Sequence, residues 1–197
     1  MKFVHHLLTI HEHRKLVRQG CFRVGLYYQG LTHDLSKYSP SEFLVGVKYY
    51  QGFRSPNNAE REDIGYSSAW LHHKGRNRHH FEYWIDYSLV DDTKIMIPAR
   101  MPNKYLVEMY VDRVAASTVY NKGHFTNDMP LKYFLRCKDH KLIEEKTKNE
   151  LEKLLTMLAK YGPDVTEEYI RTKLLAGRPG TILADYICRR KNGFQKN

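Results

Sequence analysis

The spacing of apolar residues along the chain predicts mostly helices. In the first thirty residues, Val17, Cys21 and Val24 follow one another at intervals of four and three residues, with Leu7, Leu8 and Leu26 on either side, which is typical of one or two helices with a weak point at Gly20. A second apolar stripe predicts a helix over residues 103–120. Leucines at helical spacing within a lysine- and glutamate-rich stretch predict an amphipathic helix over residues 144–160. Its leucine face would pack on the core, and its charged face would be exposed to solvent.

Local signals place the shorter elements between these helices. Ser39, Pro40 and Glu42 match a capping box with proline at the first helical position, which predicts a helix over residues 40–50. Residues 59–73 are predicted as one helix, and a further short helix is predicted to begin near His79. The apolar run at 95–97 resembles a strand but is too short to support a sheet, and residues 189–197 are predicted to form a mobile basic tail.

These elements predict an all-α protein, a helical bundle around a central metal site. We expect residues 1–125 to form the metal-binding helical core. Residues 126–197 would then be a C-terminal helical extension that packs on this core and ends in the basic tail. A chain of 197 residues is long enough to bury a substantial core in this way.

Composition and charge narrow the class of function. A hydrophobic fraction of 42% and an aromatic fraction of 13% exclude an intrinsically disordered chain. The 32 lysine and arginine residues outnumber the 22 acidic residues, which gives a net charge of +10. This charge favours an anionic partner, which could be a phosphorylated metabolite, a nucleotide or nucleic acid.

Cysteine usage and hydropathy predict a cytoplasmic protein without a membrane span. Cys21, Cys137 and Cys188 are far apart and in no C-x-x-C spacing, so neither a disulfide framework nor a zinc knuckle is indicated. The apolar N-terminal run is broken by His5 and His6, unlike a signal peptide. The chain also lacks an apolar run of the length that a membrane-spanning helix needs.

Histidine is the main chemical clue, because the chain has 11 histidines and most of them lie in its first eighty residues. Imidazole and carboxylate together suit zinc, iron, manganese and similar divalent ions, and a set rich in both can hold two metal ions. The candidate ligands, in chain order, are His13, His33, Asp34, His72, His73, His79, His80 and Asp112.

The order of these residues resembles the HD superfamily of helical metal-dependent phosphohydrolases and dinuclear-iron oxygenases. Residues 13–17 (HRKLV) resemble the first motif of that superfamily, residues 33–37 (HDLSK) resemble its central HD motif, and residues 111–114 (VDRV) resemble its closing motif. The resemblance covers about residues 5–121. Residues 33–112 also resemble an uncharacterised bacterial and phage family whose members are sometimes labelled catalases, although the chain has no haem-ligand signature.

The resemblance implies His13, His33, Asp34 and Asp112 as metal ligands, and implies that dinuclear members add two histidines between HD and the last aspartate. Helical geometry favours His73 and His80 for that role, because both fall toward the apolar side near Trp70 and Trp84; His72 and His79 remain the alternates. Their separation of seven residues is shorter than the usual insertion. Glu108 lies one helical turn before Asp112, so it is predicted to orient a ligating histidine.

The resemblance further implies that Asp34 and Lys37 carry the catalysis, with Lys37 contacting the substrate. Lys74, Arg76 and Arg78 lie between the histidine pairs, where they could bind a phosphate. The leading hypothesis is therefore hydrolysis of a phosphoester in a nucleotide or another small phosphorylated metabolite, with one or two divalent metal ions as cofactor.

Two other functions remain open at this point. The same site could support oxygenase or peroxide chemistry with two iron or manganese ions. Alternatively, the net charge and the tyrosine pairs at 27–28 and 49–50 could serve nucleic-acid binding without catalysis.

Overall fold

The computed structural model of the protein describes residues 1–89, 95–136 and 142–194, with backbone alone for residues 189–194. The described chain is mostly helical with one two-stranded antiparallel sheet, which confirms the predicted all-α class. Its helices are α1 (Lys2–Arg23), α2 (Tyr27–Thr32), α3 (Pro40–Lys48), α4 (Pro56–Ile64), α5 (Ser68–Lys74), α6 (Asn103–Tyr120), α7 (Met129–Leu135), α8 (Glu145–Tyr169) and α9 (Pro179–Phe194). Short 3₁₀ helices cover Leu35–Tyr38 and Phe81–Trp84, and the strands are β1 (Ile85–Ser88) and β2 (Ile95–Pro98).

Close packing of α1 on α6 sets up the polar centre of the molecule. A Cβ added at Gly20 of α1 would stand 2.6 Å from Val111 Cγ1 of α6, so the two helices approach more closely than a larger residue at this position would allow. Val17 is fully buried in the same contact. Because His13 lies one turn before Val17, and Asp112 follows Val111, this packing brings both side chains to the same region.

The apolar core extends from this contact to α8. Leu151, Leu154, Leu155 and Leu158 are all buried, which confirms the predicted leucine face. The helix begins at Glu145, after the Glu144 carboxylate accepts a hydrogen bond from the Thr147 amide at 2.8 Å. The helical backbone breaks at Gly162, with φ 81° and ψ −179°, close to the predicted end at residue 160, and a second helical segment then runs to Tyr169.

The prediction of one helix over residues 59–73 is wrong. Gly65 ends α4 in the left-handed conformation at φ 82°, and α5 begins three residues later. Ser67 caps α5 by accepting a hydrogen bond from the Trp70 amide at 3.0 Å. The buried Glu60 carboxylate accepts hydrogen bonds from the hydroxyls of Ser67 and Ser68, which fixes the start of the helix that carries His73.

Two predictions around the hairpin also need correction. His79 and His80 lie in a turn before the 3₁₀ helix, not on an α-helix. The apolar run at 95–97 does enter a sheet, because β2 pairs antiparallel with β1 in the register Ile85↔Pro98 to Ser88↔Ile95. β1 alternates between apolar or aromatic and polar residues, but its four residues are too few to signal this partner.

Part of the segment predicted as a mobile basic tail is helical, and its mobility stays a prediction. Residues 189–194 continue α9, consistent with the good helix propensity of arginine and lysine, and residues 195–197 lie outside the described chain. Cys21 and Cys188 are free thiols, whereas Cys137 lies outside the described residues. The predicted boundary at residue 125 falls between α6 and α7 and stays a prediction. In the described ranges, none of the helices is both long and apolar enough to cross a membrane.

Candidate metal centre

Separate elements of the fold deliver the predicted ligands to one buried cluster. His13 lies on α1, Asp112 lies on α6, and His73 lies on α5. The other members come from two short connections, His33 and Asp34 after α2, and His79 and His80 after α5. The cluster therefore depends on the folded chain, since its members are far apart in sequence.

Asp34 occupies an unusual backbone conformation. With φ 53° and ψ 28°, it is the only residue other than glycine with positive φ in the described part of the chain. Aspartate adopts this left-handed conformation more easily than most residues, at a cost of about 1 kcal/mol. The turn places the neighbouring side chains of His33 and Asp34 in the same centre, where they are 2% and 0% exposed.

The first group of ligand atoms, which we call site 1, comprises His13, His33, Asp34 and Asp112. His13 Nε2 lies 3.0 Å from Asp112 Oδ1 and 3.6 Å from Asp34 Oδ2. His33 Nε2 lies 3.3 Å from the same Asp34 oxygen and 3.5 Å from Asp112 Oδ1. The ligand atoms of this group all fall within 4.8 Å of one another, so one metal ion could contact all of them.

The second group, site 2, comprises Asp34, His73, His79 and His80. Here the other carboxylate oxygen of Asp34 faces the histidines. Asp34 Oδ1 lies 3.3 Å from His73 Nε2 and 3.4 Å from His79 Nε2. His80 packs against both imidazoles, with ring centroids 4.8 Å from that of His73 and 4.2 Å from that of His79. Asp34 thus belongs to both sites, with one oxygen directed to each.

Two buried glutamates hold the outer nitrogens of these histidines. Glu108 Oε1 lies 2.9 Å from His33 Nδ1 and 3.2 Å from His79 Nδ1. Glu42 Oε2 lies 2.7 Å from His73 Nδ1. Since a carboxylate only accepts hydrogen bonds, each of these imidazoles donates from Nδ1 and in its neutral form leaves the Nε2 lone pair directed at Asp34.

The inner atoms of the cluster lack the partners that buried polar groups normally have. The Nε2 atoms of His13, His33, His79 and His80 and the Oδ1 atom of Asp34 are buried without a hydrogen bond, whereas Asp34 Oδ2 has the Lys37 ammonium beside it at 2.6 Å. A neutral Nε2 that faces a carboxylate oxygen places one acceptor against another, and a proton or a metal ion between the two atoms relieves this repulsion. Nitrogen and oxygen donors in this arrangement fit a divalent metal ion.

Burial and charge compete in setting the pKa values of the cluster. Burial favours neutral imidazole at His33, but the Asp34 carboxylate outweighs it and raises the pKa of His33 well above its usual value. Burial would also raise the pKa of Asp34, yet the charges of His33 and Lys37 hold it well below its usual range. Burial and the neighbouring His79 lower the pKa of His80, so this ring is kept in the neutral form that metals bind.

The predicted substrate-binding cations lie in different surroundings. Lys37 Nζ is 2.6 Å from Asp34 Oδ2, with 31% of its side chain exposed, so it lies at the edge of the cluster. Arg76 is exposed and donates to the carbonyl oxygen of His72, while Arg78 donates to the Tyr105 hydroxyl. Lys74 is half-buried at the end of α5.

The two histidine pairs differ in how many of their members belong to site 2. His73 belongs to site 2, whereas the Nδ1 of its neighbour His72 contacts Glu42 Oε1 at 2.6 Å. His79 and His80 both belong to site 2, because the turn that carries them can direct adjacent side chains to one centre. Helical projection could not indicate this, since the residues are not on a helix.

Glu42 is the functional residue that sequence reasoning missed. It was assigned to a capping box with Ser39, but Ser39 makes no side-chain capping hydrogen bond in the structure. The Glu42 carboxylate contacts His72 and His73 instead. A glutamate in the first turn of α3 gives no local sign of histidines some thirty positions further along the chain.

The fold and the site together define an all-α protein with buried histidine, aspartate and glutamate groups that could hold a metal ion. The chain belongs to a family of unknown function (DUF5662), whose match spans residues 2–157. This range includes both sites and their glutamates. No curated protein and no solved structure matches the chain, so the resemblance to the HD superfamily stays a prediction.

Proposed function

We propose that the protein is a metal-dependent phosphohydrolase that acts on a nucleotide or another small phosphorylated metabolite. The observation that best supports the proposal is that the Asp34 carboxylate faces both sites. Its Oδ2 atom is directed to site 1 and its Oδ1 atom to site 2. A shared carboxylate between two sets of nitrogen and oxygen ligands is an arrangement suited to two neighbouring divalent ions.

The ligands are compatible with zinc, iron or manganese. Bound divalent ions would polarise a phosphoryl oxygen and lower the pKa of water. The protein contributes the rigid frame for this chemistry, because Glu108 and Glu42 fix the orientation of His33, His79 and His73 before any ligand arrives.

Lys37 is the residue best placed to bind the substrate anion. Its ammonium contacts Asp34 Oδ2 at 2.6 Å, and 31% of its side chain is exposed. Burial disfavours the ammonium, but the charges of Asp34 and Asp112 outweigh it and raise the pKa of Lys37 above its usual value. Lys37 therefore remains charged at neutral pH and can donate hydrogen bonds to a phosphoryl oxygen beside the two sites.

The net charge of +10 supports an anionic substrate. Lys74, Arg76 and Arg78 flank the connection that carries His79, and we assign them to the approach of the substrate. Their positive field would raise the local concentration of a phosphorylated compound, and this effect would weaken as the ionic strength rises.

A second candidate function is oxidation or peroxide decomposition with two iron or manganese ions. Site 2 favours it, because three imidazoles and one carboxylate are ligands that also suit redox-active iron and manganese. The two functions differ in their requirement for oxygen or peroxide, which makes them separable in one set of assays.

The test uses protein purified without a histidine tag and reconstituted in turn with zinc, manganese and iron. Phosphate release from nucleoside phosphates and p-nitrophenyl phosphate is measured under nitrogen, for the wild type, Lys37→Ala and the exposed control Glu62→Gln. We expect release that a chelator abolishes, that Lys37→Ala lowers about 100-fold in kcat/KM, as loss of a charge-assisted contact predicts, and that Glu62→Gln leaves unchanged.

Other outcomes would contradict the phosphohydrolase. Consumption of oxygen or peroxide without phosphate release would favour the second candidate. Nucleic-acid binding that survives chelation and weakens steeply with salt, without either activity, would instead support the non-catalytic binding protein.

A further inference from the structure

We propose that Glu42 positions a ligand of site 2 alone, whereas Glu108 couples the two sites. This inference rests on the metal centre of the proposed function but not on the reaction catalysed there. It assigns a role to Glu42, and it predicts that two chemically identical substitutions have different effects on metal binding.

Glu42 is connected to only one of the two sites. It is 6% exposed, and each of its carboxylate oxygens faces one imidazole Nδ1. Oε2 accepts from His73 at 2.7 Å, and Oε1 accepts from His72 at 2.6 Å. Because His72 belongs to neither site, the only ligand that Glu42 orients among the described residues is His73 of site 2.

Glu108 is connected to both sites through a single atom. Its Oε1 lies 2.9 Å from Nδ1 of His33, a ligand of site 1, and 3.2 Å from Nδ1 of His79, a ligand of site 2. The ring centroids of these two histidines are 4.4 Å apart, so they lie side by side above the same carboxylate oxygen. Any change in the charge of this oxygen acts on one histidine of each site.

Glutamine at the two positions should therefore act differently. At position 108 the single amide oxygen can still accept from both histidines, so Glu108→Gln removes charge with little change in geometry. At position 42 the amide presents one oxygen and one NH₂ group to two Nδ1 atoms, so Glu42→Gln removes charge, and one histidine must either lose its hydrogen bond or change tautomer to accept at Nδ1. Loss of such an outer partner typically lowers metal affinity 10- to 100-fold.

The experiment is a stepwise titration of metal-free protein with cobalt(II), in competition with a chelator and followed by visible absorption. Asp112→Asn and His80→Ala identify the steps that belong to site 1 and site 2. We expect Glu42→Gln to weaken site 2 about 10- to 100-fold and to leave site 1 within about threefold. We expect Glu108→Gln to weaken both sites by similar factors.

Control variants separate positioning from a general loss of structure. His72→Gln removes the other partner of Glu42, and Glu62→Gln removes an exposed carboxylate of α4 that pairs with Arg54. Both should bind cobalt(II) like the wild type. The unfolding temperature of each metal-free variant is measured alongside, and Glu42→Asp serves as a second variant at that position, since it retains charge but shortens the side chain.

The inference is overturned if Glu42→Gln weakens both sites equally or neither, or if Glu108→Gln weakens only one. A wild type that binds fewer than two cobalt(II) ions would overturn it together with the metal centre. A wild type that binds two ions but hydrolyses no phosphoester would refute the proposed function alone, because the titration does not depend on catalysis.

Discussion

Helix α6 contributes to two buried regions of opposite character. One is the leucine layer, in which Leu151, Leu154, Leu155 and Leu158 of α8 pack with Phe134 of α7. The other is the histidine cluster, which consists of site 1 and site 2 with Glu42 and Glu108. The first region contains only apolar side chains, whereas the second contains buried nitrogen and oxygen atoms without hydrogen bonds.

The difference indicates what each region contributes. Burial of one leucine side chain stabilises the fold by about 1.5–3 kcal/mol. Each buried polar atom without a partner costs about 1–3 kcal/mol. The leucine layer therefore accounts for stability, whereas the histidine cluster costs stability and is explained by the metal binding that we propose.

The largest expected effect comes from Asp34→Asn in the histidine cluster. Asparagine tolerates the left-handed backbone of this position but lacks the charge that both sites share. We expect loss of bound metal from both sites and of all metal-dependent activity, and also a lower stability of the metal-free protein at neutral pH, because His33 and Lys37 lose the carboxylate that pairs with them. Metal analysis and thermal unfolding check this. Full metal retention in the variant would show that Asp34 is not the shared ligand.

Leu154→Ala should lower the stability of the fold without changing metal binding. Leu154 is fully buried in the leucine layer, so its truncation leaves a cavity and should lower the free energy of unfolding by about 3 kcal/mol. Metal content per folded chain should not change. Urea unfolding and metal analysis on the same sample test both parts. A variant that loses metal while folded would contradict the separation of the two regions.

Removal of metal should lower the stability of the folded chain. Metal that binds only the folded chain stabilises it by about 2.7 kcal/mol when its free concentration is a hundred times the dissociation constant. We therefore expect a chelator to lower the unfolding temperature of the wild type but not that of Asp34→Asn. Differential scanning calorimetry with and without chelator measures this. An equal shift in both proteins would point to binding elsewhere.

A smaller, pH-dependent effect is expected at His6, next to the cluster. Burial, and secondarily the charge of Lys37, lowers the pKa of His6 to about 4. The unfolded chain takes up a proton near its ordinary pKa of about 6.5, whereas the folded chain does not until about pH 4. Stability from this residue is therefore present above pH 6.5 and is lost as the pH falls toward 4.

The variant His6→Gln should show a shallower loss of stability with acid. Between pH 6.5 and 4.5 we expect it to lose about 2 kcal/mol less than the wild type, because glutamine takes up no proton. Urea unfolding of metal-free protein across this pH range provides the comparison. Parallel pH profiles for the two proteins would show that His6 is not kept neutral by the fold.

The two regions also differ in how far the sequence predicts them. Apolar periodicity predicted α6 over residues 103–120 and the buried leucines of α8, and the structure confirms both. Periodicity failed for residues 59–73, because Gly65 could end a helix or lie within one. The strand at 95–97 was identified, but not the partner that makes it a sheet.

For the candidate site, motif order identified residues that the structure brings together, including His33, Asp34 and Asp112. Helical geometry favoured His80 over His79, whereas both belong to site 2, because helical projection does not apply to a turn. Motif order could not indicate Glu42, because the contact with His73 depends on the packing of α3 against α5. Local motifs indicate candidate ligands, whereas the outer partners of these ligands depend on tertiary structure.

The most direct test of the account is the metal content of the wild-type chain, purified without a histidine tag and measured by inductively coupled plasma mass spectrometry. Two occupied sites that share Asp34 predict about two equivalents of divalent metal per chain, as purified or after reconstitution. A chain that binds no metal even after reconstitution would contradict the account, since the buried acceptors of the histidine cluster would then be neutralised by protons alone.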